Sequence, residues 1–233
     1  MIKDFLRGNA LFLGLKLDNE TLEKLKIFYE FLNEFNAHTN LIAKADEKTI
    51  LTRHFLDSMA FCKIPLVPSK FKLLDIGSGG GFPSIILAIL FPKAEIVAVD
   101  SVGKKVNFLN QATEKVGLKN FKALNTRAEE LSSDFRENFD FVTARAVASL
   151  NTLSEYCIPF VKIGGNFVAY KAKTAKEELK EAKKGIKILG GSLAEIIPYS
   201  VDEAERNLVV IEKILKTSLK FPRKSGLPKK TPL

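Results

Sequence analysis

At 233 residues, 46% of them hydrophobic, the chain can build one large domain with a modest extension, and no apolar run approaches the ~20 residues of a membrane span. Two distant cysteines, Cys62 and Cys157, and two histidines argue against a zinc site or disulfide framework and for a reducing, cytoplasmic home. A net charge of +9 favours a polyanionic partner, because neutralised phosphates release counterions, although lysine-rich chains that touch no nucleic acid share it.

The N-terminal run MIKDFLRGNALFLGLKL is broken early by charge, so no secretory leader is expected. Asp18 can cap a helix in which Leu22, Leu25, Phe28, Tyr29, Leu32 and Phe35 recur at helical spacing. A second helix is expected over 49–61, with Arg53, His54, Asp57 and Ser58 on its polar edge. Pro65 and Pro68 then mark a linker, which closes a helical extension at residues 1–65.

From Phe71 strands alternate with helices, the pattern of an α/β domain spanning 66–215. Strands are expected at 72–76, 95–100, 121–124, 139–144 and, after the turn Gly164-Gly165, 166–170. Helices are expected from Pro83, over 104–116 up to Gly117, over 154–160 and over 174–184. Runs 194–199 and 207–211 close the sheet as an antiparallel pair, and 216–233 is a basic, acid-free tail.

The chemistry gathers at LLDIGSGGGFPS, residues 73–84, where a strand feeds a glycine-rich turn that opens onto a helix. Such a turn brings backbone N–H groups and the positive end of a helix up to a ligand. A second strand ends in Asp100, where an acid accepts hydrogen bonds from ribose hydroxyls in nucleoside-binding folds; an exposed strand-end acid is the plainer alternative. No Gly-Lys-Ser/Thr follows the glycines, which excludes a P-loop. The dinucleotide fingerprint wants a small residue where Phe82 stands, so a nicotinamide-dependent dehydrogenase is disfavoured. The spacing G-x-G-x-G, with Asp75 two positions ahead, suits a ligand without pyrophosphate whose amino-acid end needs amides and a carboxylate, such as S-adenosylmethionine.

Four segments in order, DIGSGGGFPSIILAILFP, VDSVGKKVNFL, NTRAEEL and FDFVTARAVASL, resemble the bacterial 16S ribosomal RNA guanine-N7 methyltransferases, the glucose-inhibited division protein B family. The resemblance extends to NAHTNLIAK and RHFLDSM upstream and to the tail FPRKSGLPKKTPL. It implies a Rossmann-like class I S-adenosylmethionine-dependent methyltransferase sheet, mostly parallel with its last strand antiparallel, behind the helical extension. It also implies methyl transfer to N7 of one guanine in 16S rRNA, free or in a small-subunit particle. A monomer is expected, with no metal for want of paired cysteines and histidines and no membrane for want of an apolar span.

Individual roles follow from residues and resemblance together. Gly77, Gly79 and Gly81 are expected to wrap the methionine half of the cofactor, with Asp75 ordering the turn or the ammonium. Asp100 takes the ribose diol and Ser101 adds a contact, while the resemblance places Phe82, Ala128 and Glu129 beside the cofactor. Arg145, at the carboxyl edge of the sheet, is expected on the cofactor carboxylate or a substrate phosphate. Arg53, Lys104, Lys105 and Arg223 are the candidate phosphate contacts. Guanine N7 carries a lone pair and no proton, so no catalytic acid or base is assigned. His54 reads equally as part of a polar helix face, and Cys157, without a preceding proline, reads as core rather than nucleophile. A non-enzymatic RNA-binding module is the remaining alternative, against which the intact loop and Asp100 speak.

Overall fold

The short apolar runs from residue 71 onward pair into one sheet because each can be buried on both faces. In the computed structural model, which describes residues 1–39, 41–42 and 49–233, they form β1 (Lys72–Ile76), β2 (Glu95–Asp100), β3 (Phe121–Asn125), β4 (Phe139–Arg145), β5 (Val161–Ala172), β6 (Gly191–Val201) and β7 (Ala204–Lys213). Residues 40, 43 and 44 of the NAHTNLIAK segment lie outside the described residues. The order is β3-β2-β1-β4-β5-β7-β6, with β7 alone running against the rest. Alternate side chains enter opposite cores. Leu73, Ile96, Ala98 and Phe141 pack with α4 (Ser84–Leu90) and α5 (Gly103–Val116), whereas Leu74, Val99, Val142 and Phe167 pack with α6 (Leu150–Cys157) and α7 (Ala175–Ile188).

The N-terminal segment belongs to the first of these cores. It contains α1 (Ile2–Ala10), which the sequence pattern did not announce, and α2 (Asn19–Thr39), whose stripe Leu22, Leu25, Phe28 and Leu32 is buried against α4 and α5. Asp18 caps α2 by accepting from Thr21 N–H at 2.7 Å. Phe28, Phe55 and Phe82 meet with ring centroids 5.4–5.5 Å apart, joining the extension to the glycine turn.

The expected helix over 49–61 is not regular. Leu51–Leu56 is π-helical before a short turn α3 (Asp57–Met59) and a 3-10 turn Ala60–Lys63. The Asp57 N–H bonds to Thr52 and His54 carbonyls, and the Arg53 carbonyl accepts from Arg145 Nη1 at 3.1 Å instead. The widened turn thereby ties the extension to the end of β4.

Three other boundaries move for identifiable reasons. α6 starts at Leu150 because the Glu178 carboxylate of α7 accepts from Leu150 N–H at 2.8 Å and caps it from a distance. The Gly164-Gly165 pair lies inside β5 rather than in a turn before it, at a bulge against β4, where a Cβ on Gly165 would stand 2.6 Å from the Asp140 carbonyl. The basic tail docks on the domain. Arg136 donates to the Phe221, Thr217 and Ser218 carbonyls, and the tail ends in a short helix, α8 (Leu227–Lys230).

A candidate cofactor cleft and its polar neighbour

The order in which strands are added reverses between β1 and β4, which run parallel, and open α/β sheets bind ligands at the carboxyl ends of strands at such a point. A cleft of about 410 Å³ opens there. Its walls are Ile76-Gly77 after β1, Val99 to Val102 after β2, Thr126 to Glu129 after β3 and Ala146 to Ala148 after β4, with Tyr156 and Lys229 at the side.

Backbone geometry makes the glycines obligatory. Gly77 has φ +75°, and a Cβ there would lie 2.4 Å from Val147 Cγ2. Gly81, at φ +88°, lets the turn press against Ile85 and Leu109 of the flanking helices. Gly77 and Ser78 N–H both donate to the Val99 carbonyl, at 2.8 and 3.1 Å. Asp100 closes the arrangement: Oδ2 accepts from Gly79 N–H at 3.0 Å and Oδ1 from Val102 N–H at 2.9 Å, with Lys105 Nζ 3.7 Å from Oδ2.

Asp75 does a different job. It is fully buried, and its Oδ1 accepts from Thr143 Oγ1 at 2.8 Å across the β1–β4 pair. Ser78 Oγ donates to its carbonyl at 3.1 Å, so Asp75 orders the turn from behind and is not part of the cleft wall. Burial pushes its pKa up.

A second pocket, about 380 Å³, adjoins the cleft, and Ala146 lines both. Side chains build it. Arg145 donates through Nη1 to Asp57 Oδ2 at 2.9 Å and through Nη2 to His54 Nδ1 at 2.8 Å. Because a guanidinium only donates, His54 carries its proton on Nε2. Asp57 Oδ1 accepts from Tyr199 Oη at 2.7 Å, and Tyr170 Oη donates to the Ser58 carbonyl. Burial, with the Asp57 charge, pushes the pKa of both tyrosines up, so neither is a proton carrier near neutrality.

Gly77, Asp100, Ser101, Ala128 and Glu129 line the cleft, and Gly79 and Gly81 shape it from behind. Lys105, expected at RNA phosphates, also lines the cleft. Three of the expected contact residues stand outside the cleft wall. Phe82 is 4% exposed and lies outside the cleft wall, because the aromatic core holds it under the Arg145 guanidinium, 5.2 Å away. Arg145 opens onto the second pocket instead of the first, drawn there by Asp57. Arg223 holds Glu155, whose side chain is 1% exposed, through Nε and Nη2 at 2.7–3.1 Å and so clamps the tail instead of facing RNA. Arg53 lines the second pocket and pairs with Asp202, while Lys104 Nζ donates to the Thr39 carbonyl.

Val147, Tyr156 and Lys229 are cleft residues with no signal in the local pattern, as are Tyr170, Glu178, Tyr199 and Arg206 in the second pocket. Among the described residues no three His, Cys, Asp or Glu gather to hold a metal, and no helix is long and apolar enough to cross a membrane.

Strand order, glycine turn and strand-end acid together define a class I methyltransferase, the class whose methyl donor is S-adenosylmethionine. The fold is similar to the 16S rRNA (adenine(1408)-N(1))-methyltransferase of Catenulisporales acidiphilia, solved with S-adenosylmethionine (TM-score 0.52, 13% identity, covering 64% of this chain and 87% of that one). Within that class, the family model GidB, rRNA small subunit methyltransferase G, matches residues 21–209, and the chain belongs to this family. It is 40% identical over 237 residues to the ribosomal RNA small subunit methyltransferase G of Acetivibrio thermocellus, covering 100% of this chain and 97% of the relative. It is 43% identical over 223 residues to that of Lactococcus lactis, covering 94% of each.

Proposed function

We propose that the chain transfers a methyl group from S-adenosylmethionine to N7 of one guanine in 16S ribosomal RNA, acting in the cytoplasm as a monomer and without a metal. The observation that carries this reading is the pairing of a bare main-chain turn at Gly77 with the Asp100 carboxylate across one cleft. The fit is chemical. Each Asp100 oxygen keeps accepting capacity beyond its main-chain bond, enough for a ribose diol, and the glycine turn leaves room for an amino-acid end. Ala128 offers an apolar wall and Ser101 and Glu129 offer polar groups for an adenine.

When bound, S-adenosylmethionine supplies an electrophilic methyl group on a sulfonium. The protein's own residues have only to hold and align, since N7 of guanine attacks with an in-plane lone pair and loses no proton. Orientation of that kind lowers a barrier by roughly 7–11 kcal/mol in favourable cases. Arg145, half-buried and held by Asp57, His54 and the Arg53 carbonyl, stays where β4 ends and is not consumed as a base. N7 is unreachable in the deep groove of A-form RNA, so the target is an unstacked base in a loop or open junction. The positive balance of the chain serves the phosphates around it.

Calorimetry with S-adenosylmethionine tests the cleft. Asp100→Asn, which keeps an acceptor for the turn, is expected to weaken binding at least roughly tenfold, about 1.4 kcal/mol, while NAD gives no heat with either chain. Mapping methylated guanines in rRNA from cells with and without the protein tests the reaction. Unchanged cofactor affinity in the variant, or identical maps, would overturn the reading.

A further inference from the structure

The second pocket adjoins the cleft, and its walls are the richer in polar side chains that hold one another. Three arginines and Lys171 line it against two carboxylates, Asp57 and Glu178. Asp57 is occupied at both oxygens, by Arg145 and Tyr199. Glu178 is occupied at one: Oε2 accepts from Leu150 N–H at 2.8 Å and from Lys171 Nζ at 2.7 Å, whereas Oε1 has only the Thr174 hydroxyl at 3.5 Å. Arg206, on the wall, forms no ion pair or side-chain hydrogen bond among the described residues. The pocket therefore presents one carboxylate oxygen and one guanidinium with capacity to spare, beside the cleft across Ala146.

We propose that this pocket receives the acceptor nucleotide flipped from the RNA, with Glu178 Oε1 taking the N1–H and N2–H edge of guanine and Arg206 taking its phosphate. The assignment rests on the reading of the adjoining cleft as the methyl-donor site. Two neighbouring donors on one purine edge match a carboxylate, which only accepts. Adenine turns a lone pair at N1 toward the same place and is repelled. N7 lies on the opposite side of the purine from that edge, so a guanine held by Glu178 points N7 away from it, back toward the shared wall. A hydrogen bond to a charged group of this kind discriminates by roughly ten- to hundredfold. Lys171, 9% exposed, fixes the carboxylate from behind and is a positioning residue.

The test uses the full chain loaded with S-adenosylhomocysteine and titrated with guanosine 5′-monophosphate or adenosine 5′-monophosphate, read by NMR. Guanosine monophosphate is expected to shift resonances of Ala172, Tyr199 and Arg206 and to bind at least about tenfold more tightly than adenosine monophosphate. Glu178→Gln is expected to abolish that preference and to lower kcat/KM on unmodified small-subunit RNA roughly tenfold or more, with S-adenosylmethionine affinity unchanged. Because Glu178 also caps α6, Arg206→Ala is the second variant; it touches no internal network and is expected to raise KM with kcat held. Equal binding of the two nucleotides, shifts confined to other surfaces, or both variants within about twofold of wild type on RNA would overturn the pocket alone. A wild-type chain that methylates no guanine would overturn the underlying reaction with it.

Discussion

The cofactor cleft and the polar pocket share Ala146 as a wall, but they are built from opposite materials. The first is framed by main chain: a glycine turn, strand ends and one carboxylate that is itself pinned by amides. The second is framed by long side chains that hold each other, with Arg145, Asp57, His54 and Tyr199 in one part-buried network. A main-chain site tolerates side-chain exchange and rejects an added Cβ. A side-chain site does the reverse.

The largest effect should come from breaking the side-chain network. Asp57→Ala takes the acceptor from the buried Tyr199 and one of three from the half-buried Arg145, a loss of about 3 kcal/mol, the low end for a buried pair, read as a fall in unfolding free energy in denaturant. The matching assault on the main-chain site is smaller. Gly77→Ala forces a side chain to φ +75° and into Val147, at about 1–2 kcal/mol. It should weaken S-adenosylmethionine binding roughly tenfold by calorimetry.

The cleft's one tail-borne wall, Lys229, depends on an anchored tail, and Lys213 allows that anchoring to be read by pH. Lys213 is buried, donates to the Ile158 carbonyl at 2.8 Å and to Thr217, and burial pulls its pKa from 10.5 down to about 8. Between these values the unfolded chain holds the extra proton, so this residue makes stability rise with pH from about 8 to about 10.5. Lys213→Met should flatten that part of the profile relative to wild type in paired denaturant titrations. The smallest change belongs to Ser101→Ala. Its side chain is exposed at a wall made by backbone, and cofactor affinity should stay within about twofold.

The same contrast explains what the sequence reveals. The parallel strands are legible because burial on both faces turns LLDI and EIVAVD into continuous apolar runs. Gly77 and Asp100 are legible because a cleft of strand ends is encoded in short, local motifs. The π-helical turn at Leu51–Leu56, the early start of α6 and the placement of Gly165 are not, since each is decided by a partner far along the chain: Arg145, Glu178 and the β4 backbone. Phe82 shows the same division. It stands in the glycine turn in sequence, but its neighbours in space include Phe28 and Phe55 from the extension. Arg223 looks like one more cation in a basic tail until Glu155, buried in α6, comes to meet it.

Ala146 is held at φ +56°, where a residue with a Cβ is strained by about 1–2 kcal/mol and glycine is not. It is also the residue that lines both chambers. On the proposed reading one carbon passes between the chambers beside this residue, and a bulkier side chain there would widen that gap. Single-turnover rates of Ala146→Val and Ala146→Gly would gauge that gap directly: a slowed valine chain whose cofactor grip is intact marks the residue as the ruler of the transfer distance.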